Sequence, residues 1–226
     1  STLPHLRSLI VVSEVRCVPR YIPLLNVWVD PDCMRLQPRH DGGFAMGRML
    51  QHLRSNSLPN LRRLNLSGNL LALAPRGKPS GVTALASALA RGAMPRLVTL
   101  RLREAGLDDA ALRVLAASLT QGGFGPTLRV LSLDDNFLTD LEPLSAFHVH
   151  QLSAAYNPGL ACSPDRELGA LAAMLERGGL PALRSLYLST MQADEDETPE
   201  QAGDRIALKA ACEARAISCH CAVLPA

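Results

Sequence analysis

Residues that could bind a metal ion occur at two places in the sequence. Cys219-His220-Cys221 combines thiols with an imidazole, and His148 and His150 flank Val149 so that both imidazoles would share one face of a strand. A structural zinc site needs four ligands, and neither place has further ligands at a suitable spacing. We therefore predict no bound metal ion, buried reduced cysteines, and histidines without a metal-binding role.

The sequence carries no recognisable catalytic motif. Residues 76–80 (Arg-Gly-Lys-Pro-Ser) resemble a phosphate-binding loop, but Ala72 replaces the first glycine and Pro79 replaces the Ser or Thr that should follow the lysine. Asp134 and Asp135 are adjacent, so on a strand their carboxylates would point to opposite sides. Serine-nucleophile, zinc-protease and Cys/His signatures are also missing from the sequence. We predict that the chain is not an enzyme and needs no cofactor.

Composition excludes several classes of protein. The 226 residues are 47% hydrophobic, which is too apolar for a disordered chain, and the net charge of +2 is too small for direct nucleic-acid binding. No apolar run approaches the length of a membrane span. The six cysteines are too scattered for a disulfide framework. We expect a cytoplasmic protein. Because the sequence opens without an initiator Met, we expect that either a targeting segment has been lost or the piece begins inside a longer protein.

One sequence motif, which we call the phrase, recurs five times along the chain. It consists of proline, any residue, leucine, two further residues, leucine, one further residue and an aliphatic residue. The copies lie at 4–11, 59–66, 95–102, 126–133 and 181–188, with weaker copies at Ile22/Leu25/Val27 and Val149/Leu152/Ala154. The last two aliphatic positions of each copy stand two residues apart. This spacing predicts a short strand with one buried face.

Segments between these strands have the period of an amphipathic helix. Their apolar positions are Met46/Leu50/Leu53, Val82/Leu85/Leu89, Leu112/Leu115/Leu119 and Leu168/Leu171/Leu175. Ser80 and Asp108 are predicted N-caps, and Gly92, Gly122 and Gly178 are predicted to end helices. A unit of one strand and one short helix therefore repeats along the chain.

Successive strands joined by helices must run in the same direction, because each connection crosses over the sheet. One unit cannot bury its own apolar stripe, so neighbouring units must stack. The sequence thus predicts an α/β fold, a right-handed solenoid with a parallel sheet on the concave face and helices on the convex face. The solenoid should curve, because a helix is about 10 Å wide whereas strands lie about 4.8 Å apart. Residues 128–148 leave room only for a turn or a 3₁₀ helix.

Asn69, Asn136 and Asn157 extend the phrase to L-x-x-L-x-L-x-x-N. An asparagine at this position can hydrogen-bond the backbone of the turn after the strand and link it to the next unit. On these residues the chain resembles the leucine-rich repeat family over residues 3 to 224, and it is most similar to the ribonuclease-inhibitor-like subclass. Such a resemblance implies a horseshoe-shaped arc. The pattern departs where Ala105 and Met191 replace the asparagine.

We predict a single leucine-rich repeat domain over residues 1–226. An irregular insertion is expected at about 29–43, an acidic solvated loop at 192–200, and a C-terminal cap at 204–226, made of a helix at 204–215 and a strand at 217–223. The first strand is apolar with nothing polar before it, so we expect its outer edge to be covered by upstream repeats or another chain.

A solenoid usually binds its partners through the inner face of its sheet. Alternation along the strands assigns three positions of each unit to this face. From these positions we predict protein-binding residues of the types that are common in binding hot spots or that carry polar groups. They are Trp28, Arg63, Asn65, Arg101, Arg103, Asp134, Gln151 and Tyr187.

These residues predict a non-catalytic interaction scaffold. We expect a protein partner whose acidic segment contacts Arg63, Arg101 and Arg103, or a role as one subunit of a large assembly. An alternative rests on the resemblance: some proteins similar to this subclass stimulate GTP hydrolysis by a small GTPase through a loop arginine, here Arg76. A third possibility, a ubiquitin-ligase substrate receptor, would need an adaptor-binding helix pair before Ser1.

Overall fold

A computed structural model describes residues 7–10, 20–22, 27–29, 47, 50–72, 80–123, 127–157, 159–160, 167–190 and 199–223. The strands are β1 (Ser8–Ile10), β2 (Arg20–Ile22), β3 (Val27–Val29), β4 (Arg63–Asn65), β5 (Thr99–Arg101), β6 (Val130–Ser132), β7 (Gln151–Ser153), β8 (Ser185–Thr190) and β9 (Ser218–Val223). The helices are α1 (Gly81–Ala90), α2 (Asp109–Gln121), α3 (Glu167–Glu176) and α4 (Pro199–Ala214), with a 3₁₀ helix at Glu142–Leu144.

Seven strands form one parallel sheet in the order β1-β4-β5-β6-β7-β8-β9. Every pair is parallel, and equivalent residues of the repeated phrase lie opposite one another. Leu64, for example, pairs with Leu100, and Leu100 pairs with Leu131. The predicted α/β fold with a parallel sheet is therefore confirmed, and each full copy of the phrase, together with the weaker copy at 149–154, contributes one strand.

A continuous apolar core lies between the sheet and the helices. The strand leucines at the central position, such as Leu64, Leu100 and Leu131, are fully buried and belong to one cluster with helix residues such as Leu85 and Leu115. Because a parallel sheet covered on one side buries alternate residues, the intervening side chains point away from the helices. The opposite side of the sheet is therefore available for binding.

Capping residues fix where the helices begin and end. The side chains of Ser80 and Asp108 accept hydrogen bonds from the amides of Thr83 and Ala111, as predicted for N-caps. Gly92 and Gly178 follow α1 and α3 with left-handed φ values of 66° and 85°. After α2 the left-handed residue is Gly123 rather than the predicted Gly122, which has an ordinary φ of −74° and serves as the C-cap.

Asn136 and Asn157, at the end of two copies of the phrase, are buried and join neighbouring units. Asn136 accepts hydrogen bonds from the amides of Ala105 and Leu107, and it donates to the carbonyls of Leu102 and Leu133. These contacts reach back to the preceding unit across the turn that follows β5. The predicted asparagine ladder is confirmed at this position.

Asn157 makes equivalent contacts one unit later. Its Oδ1 accepts from the amide of Leu138, and its Nδ2 donates to the carbonyls of Leu133 and Ala154. The short unit between these asparagines contains the predicted 3₁₀ helix, which ends at Leu144. At the C-terminal end, α4 begins at Pro199, inside the segment that we predicted to be a loop, because proline is well suited to the first turn of a helix.

The weak copy of the phrase at residues 22–27 was wrongly predicted to form a strand of the main sheet. β2 and β3 instead pair antiparallel in a separate two-stranded sheet, and β4 pairs directly with β1. Four residues separate β2 from β3, so a local hairpin closes a much shorter loop than a crossover to the main sheet would. Tyr21 and Trp28 face each other in this hairpin register.

Candidate protein-binding surface

Two rows of residues cross the sheet on the side opposite the helices. We call this surface the sheet face. Its first row is Arg63, Thr99, Val130, Gln151 and Ser185, and its second row is Asn65, Arg101, Ser132, Ser153, Tyr187 and His220. All of these side chains are half-buried or exposed, whereas the strand residues between the two rows are buried in the core or, in β9, half-buried.

Arg63 and Arg101 give the sheet face its positive charge. They lie on adjacent strands, with Arg63 opposite Thr99 and Arg101 opposite Asn65, and both are exposed. Within the part of the chain that the structure describes, neither guanidinium group forms an ion pair. Two adjacent cations therefore stay available to an anionic group from another molecule.

Arg103 behaves differently from the other two predicted arginines. Its Nε lies 2.7 Å from Oδ2 of Asp135 and 3.4 Å from Oε1 of Glu104. Glu104 and Asp135 both have left-handed φ values, 52° and 53°, in the turns that follow β5 and β6. This shared turn geometry brings both carboxylates to Arg103, so its charge is largely balanced within the chain, contrary to the expectation that it is free for a partner.

Asp134 also uses its carboxylate within the chain. It accepts hydrogen bonds from the hydroxyls of Ser132 and Ser153 and from the amide of Ala155. These contacts hold the turn after β6 against β7. Asn65 similarly uses its side-chain oxygen to accept hydrogen bonds from the amide and hydroxyl of Ser67. The structure thus gives both residues a structural role that the prediction of binding residues did not include.

The far end of the sheet face carries a pair of stacked rings. Tyr187 on β8 and His220 on β9 lie opposite one another, with ring centroids 4.5 Å apart and an angle of 11° between the planes. Gln151 lies in the first row, half-buried between Val130 and Ser185. Sequence analysis predicted Tyr187 but missed His220, although the alternation of the closing strand already indicated that His220 points away from the core.

One predicted binding residue does not belong to the sheet face. Trp28 lies in β3, which pairs only with β2, so the prediction that it lines the main sheet was wrong. The hairpin forms because both segments favour strands and lie close in sequence. Arg76, the arginine of the GTPase alternative, lies outside the described residues, and so does the acidic segment at 194–197.

Among the described residues, no group of three or more His, Cys, Asp and Glu side chains is arranged to hold a metal ion. Cys212 is buried and Cys219 is half-buried, and neither forms a disulfide in this structure. No helix within the described ranges is long and apolar enough to span a bilayer.

No known protein-family model matches the chain, and no curated protein matches it significantly. The geometry and charges of the sheet face are therefore the evidence for function.

Proposed function

We propose that this chain is a non-catalytic interaction scaffold of the leucine-rich repeat type, most similar to the ribonuclease-inhibitor-like subclass. In this proposal the strands line the concave side of a right-handed solenoid, and the sheet face binds an acidic segment of a partner protein. The in-register leucines of consecutive strands and the buried asparagines Asn136 and Asn157 support the repeat assignment.

The proposed binding mode depends on Arg63 and Arg101. A guanidinium group can donate two parallel hydrogen bonds to a carboxylate, and such charge-assisted bonds are stronger than neutral ones. Adjacent parallel strands lie about 4.8 Å apart, so two arginines on neighbouring strands can contact carboxylates of one extended segment.

The observation that carries the proposal is that Arg63 and Arg101 keep their charge on the sheet face, whereas some other arginines are paired within the chain. Arg103 is paired with Asp135, and Arg177 on the helix side is paired with Glu142 at 3.0 Å. Arg63 and Arg101 are exposed without such a partner in the described part of the chain. Their free charge would favour association with an acidic surface and would raise the association rate at low ionic strength.

The proposal can be tested by site-specific photocrosslinking in the native cell. A photoreactive amino acid replaces Thr99, which lies on the sheet face beside Arg63. The control replaces Val114, an exposed residue on α2. We expect a defined partner to crosslink through position 99 and not through position 114, with the attached peptide rich in Asp and Glu.

A pair of double variants makes the test quantitative. Arg63→Gln with Arg101→Gln should lower the crosslinking yield from position 99 by roughly tenfold, because both charge-assisted contacts are lost. Arg113→Gln with Lys209→Gln removes the same charge from the helix side and should leave the yield unchanged. Equal crosslinking from positions 99 and 114, or an unaffected yield in the sheet-face variant, would contradict the proposal.

A further inference from the structure

Basic residues also line the edge of the sheet where the strands begin, apart from the two rows of the sheet face. From β4 to β8, the residue before each strand donates a backbone hydrogen bond to its counterpart in the preceding unit. His150 N donates to Arg129 O, and Arg184 N donates to His150 O. Arg62 holds the same position before β4, where its amide donates to Arg7 O. We call Arg129, His150 and Arg184, which precede three consecutive strands, the basic edge.

The side chains of the basic edge are close to one another. Nη1 of Arg129 lies 3.1 Å from Nε2 of His150. A guanidinium group has no lone pair to offer, so Nε2 must accept this hydrogen bond, and the imidazole proton lies on Nδ1. His150 is therefore neutral in this structure, and its second nitrogen is left as a donor.

The electrostatic environment of His150 agrees with this assignment. Partial desolvation lowers the pKa of His150, and the positive charges of Arg129 and Arg184 lower it further. The contributions of these two guanidinium groups mean that the potential at the imidazole is positive. In the described ranges, no ion pair involves Arg129 or Arg184.

Acidic residues elsewhere in the described part of the chain neutralise other arginines. Asp140 lies 3.6 Å from Arg113, and Glu142 lies 3.0 Å from Arg177, both on the helix side of the molecule. The basic edge thus keeps its charge, whereas Arg113 and Arg177 do not. Arg184 is exposed, and Arg129 and His150 are half-buried, so an anionic group can approach all three from solvent.

We propose that the basic edge is a second binding site, and that it binds an acidic segment of a partner protein across the beginnings of β6, β7 and β8. Carboxylates of the segment would contact the guanidinium groups of Arg129 and Arg184 on either side of His150. The span from Arg129 to Arg184 covers two strand spacings of about 4.8 Å each, which a short extended peptide can bridge. A nucleic acid is disfavoured, because its binding requires neutralisation of many phosphates and this row is short.

This inference goes beyond the proposed function, because the basic edge contains neither Arg63 nor Arg101. It also predicts a linked protonation. A bound carboxylate favours the imidazolium form of His150, so binding should strengthen as the pH falls from about 8 to about 6. The charged or titratable neighbours of His150 are Arg129, Arg184 and, two residues earlier, the exposed His148.

The test uses the full chain and a short peptide of alternating glutamate and serine, labelled with a rhodamine dye that does not titrate in this range. Proton NMR follows the imidazole of His150 as the pH is varied, with and without saturating peptide. We expect the peptide to raise the pKa of His150. An unchanged His150 pKa at saturation would overturn the proposal.

Fluorescence anisotropy measures affinity in matched variants. Arg129→Gln with Arg184→Gln should weaken peptide binding by roughly tenfold or more, and His150→Gln should remove the pH dependence, whereas His148→Gln should keep it. Tighter binding of a single-stranded oligonucleotide or of a phosphoserine peptide than of the glutamate peptide would overturn the assigned ligand class. Crosslinking from position 99 is measured separately. The proposal for the sheet face and the proposal for the basic edge can therefore each be contradicted without the other.

Discussion

The ring of Tyr187 lies nearly parallel to the ring of His220, with centroids 4.5 Å apart and planes 11° from parallel. The two residues face each other on β8 and β9, at the end of the second row of the sheet face. One side of the tyrosine ring is therefore covered by the chain itself. A partner can contact only the rest of Tyr187, and the stack fixes the orientation that this residue presents.

We predict that Tyr187 and His220 stabilise each other. A double-mutant cycle with Tyr187→Leu and His220→Leu should give a coupling energy of about 0.5–1.5 kcal/mol, the range for aromatic pairs beyond their buried area. Urea denaturation of the four proteins measures it. Tyr187→Phe should keep most of the coupling, since the ring remains. Additive effects of the two leucine substitutions would show that the rings do not interact in solution.

Asn136 should be among the most sensitive polar residues of the chain. Its side chain accepts hydrogen bonds from the amides of Ala105 and Leu107 and donates to the carbonyls of Leu102, Leu133 and Asp134. Asn136→Ala leaves buried backbone groups without partners, so we expect a loss of about 2–5 kcal/mol in the free energy of unfolding. Denaturant titration measures this loss.

Asn65 provides the matched control for this prediction. It is half-buried and bonds only locally to Ser67, so Asn65→Ala should cost less than about 1 kcal/mol. Asn136→Asp should be almost as harmful as Asn136→Ala, because a carboxylate cannot donate to the three carbonyls. Comparable stability of the Asn65→Ala and Asn136→Ala variants would refute a ladder role for Asn136.

Arg215 should hold α4 against the end of α3. Its guanidinium group donates to the carbonyls of Leu175, Gly179 and Leu180, which belong to the last turn of α3 and the loop after it. Carbonyls at a helix C-terminus have no partner within the helix, so an external donor stabilises them. The ammonium group of a lysine is a compact point charge, so it cannot reproduce the planar, forked arrangement of donors by which the guanidinium group reaches these carbonyls.

We therefore expect Arg215→Lys and Arg215→Ala each to lower the free energy of unfolding by about 1–3 kcal/mol. Hydrogen exchange should become faster at residues 177–180 in both variants, while exchange near β4 stays as in the wild type. Lys209→Ala, an exposed change on the same helix, is the control. Wild-type exchange at 177–180 in the Arg215→Lys variant would contradict this prediction, because it would show that a lysine ammonium group can replace the guanidinium group at these carbonyls.

Asp109 should make stability depend on pH in the acid range. Burial raises the pKa of Asp109, but hydrogen bonds from the hydroxyl and amide of Thr139 and the amide of Asp140, with the charge of Arg113, outweigh it. The pKa of the folded state is thus lowered below the ordinary value. The carboxylate stabilises the fold fully above the unfolded pKa of about 3.9, and this contribution disappears as the pH falls through the lower folded value.

Asp109→Asn should accordingly be less stable than the wild type at neutral pH. The difference in unfolding free energy should shrink as the pH falls from about 4 through the lower folded pKa, because below that value the wild-type carboxyl group is protonated in both states. Thermal denaturation at several pH values measures the difference. Asp108→Asn, which keeps an N-cap oxygen, is the control, and its effect on stability should be small. A difference that grows toward low pH would contradict the assigned sign.

Periodicity explains why most strands and helices could be predicted from the sequence. Each strand of the main sheet from β4 to β8 contains or directly precedes two buried aliphatic residues at a spacing of two. The helices α1 and α2 begin directly after the predicted caps Ser80 and Asp108. Local patterns of this kind act over few residues and need no knowledge of distant contacts.

The hairpin of β2 and β3 could not be predicted in the same way. Its apolar residues match a degenerate copy of the phrase, and the sequence pattern does not distinguish a parallel neighbour from an antiparallel one. The choice depends on the competition between a short loop and a long crossover, and here the short loop is favoured. The misplacement of Trp28 follows from this single error.

The charges of the candidate sites were only partly predictable. The dipeptide Leu-Arg occurs in four copies of the phrase, at Arg7, Arg62, Arg129 and Arg184, so the basic edge could have been found from the sequence. The pairing of Arg103 with Asp135 could not have been found from the sequence. It depends on left-handed turns at non-glycine residues, a conformation with little sequence signature.

The most direct test of the central claim is a calorimetric titration of the chain with the partner recovered by crosslinking from position 99. If the sheet face binds through Arg63 and Arg101, the Arg63→Gln/Arg101→Gln variant binds roughly tenfold or more weakly than the wild type, with its unfolding free energy unchanged. The Arg113→Gln/Lys209→Gln variant binds like the wild type. Wild-type affinity in the sheet-face variant, or a loss confined to the helix-side variant, would contradict the account.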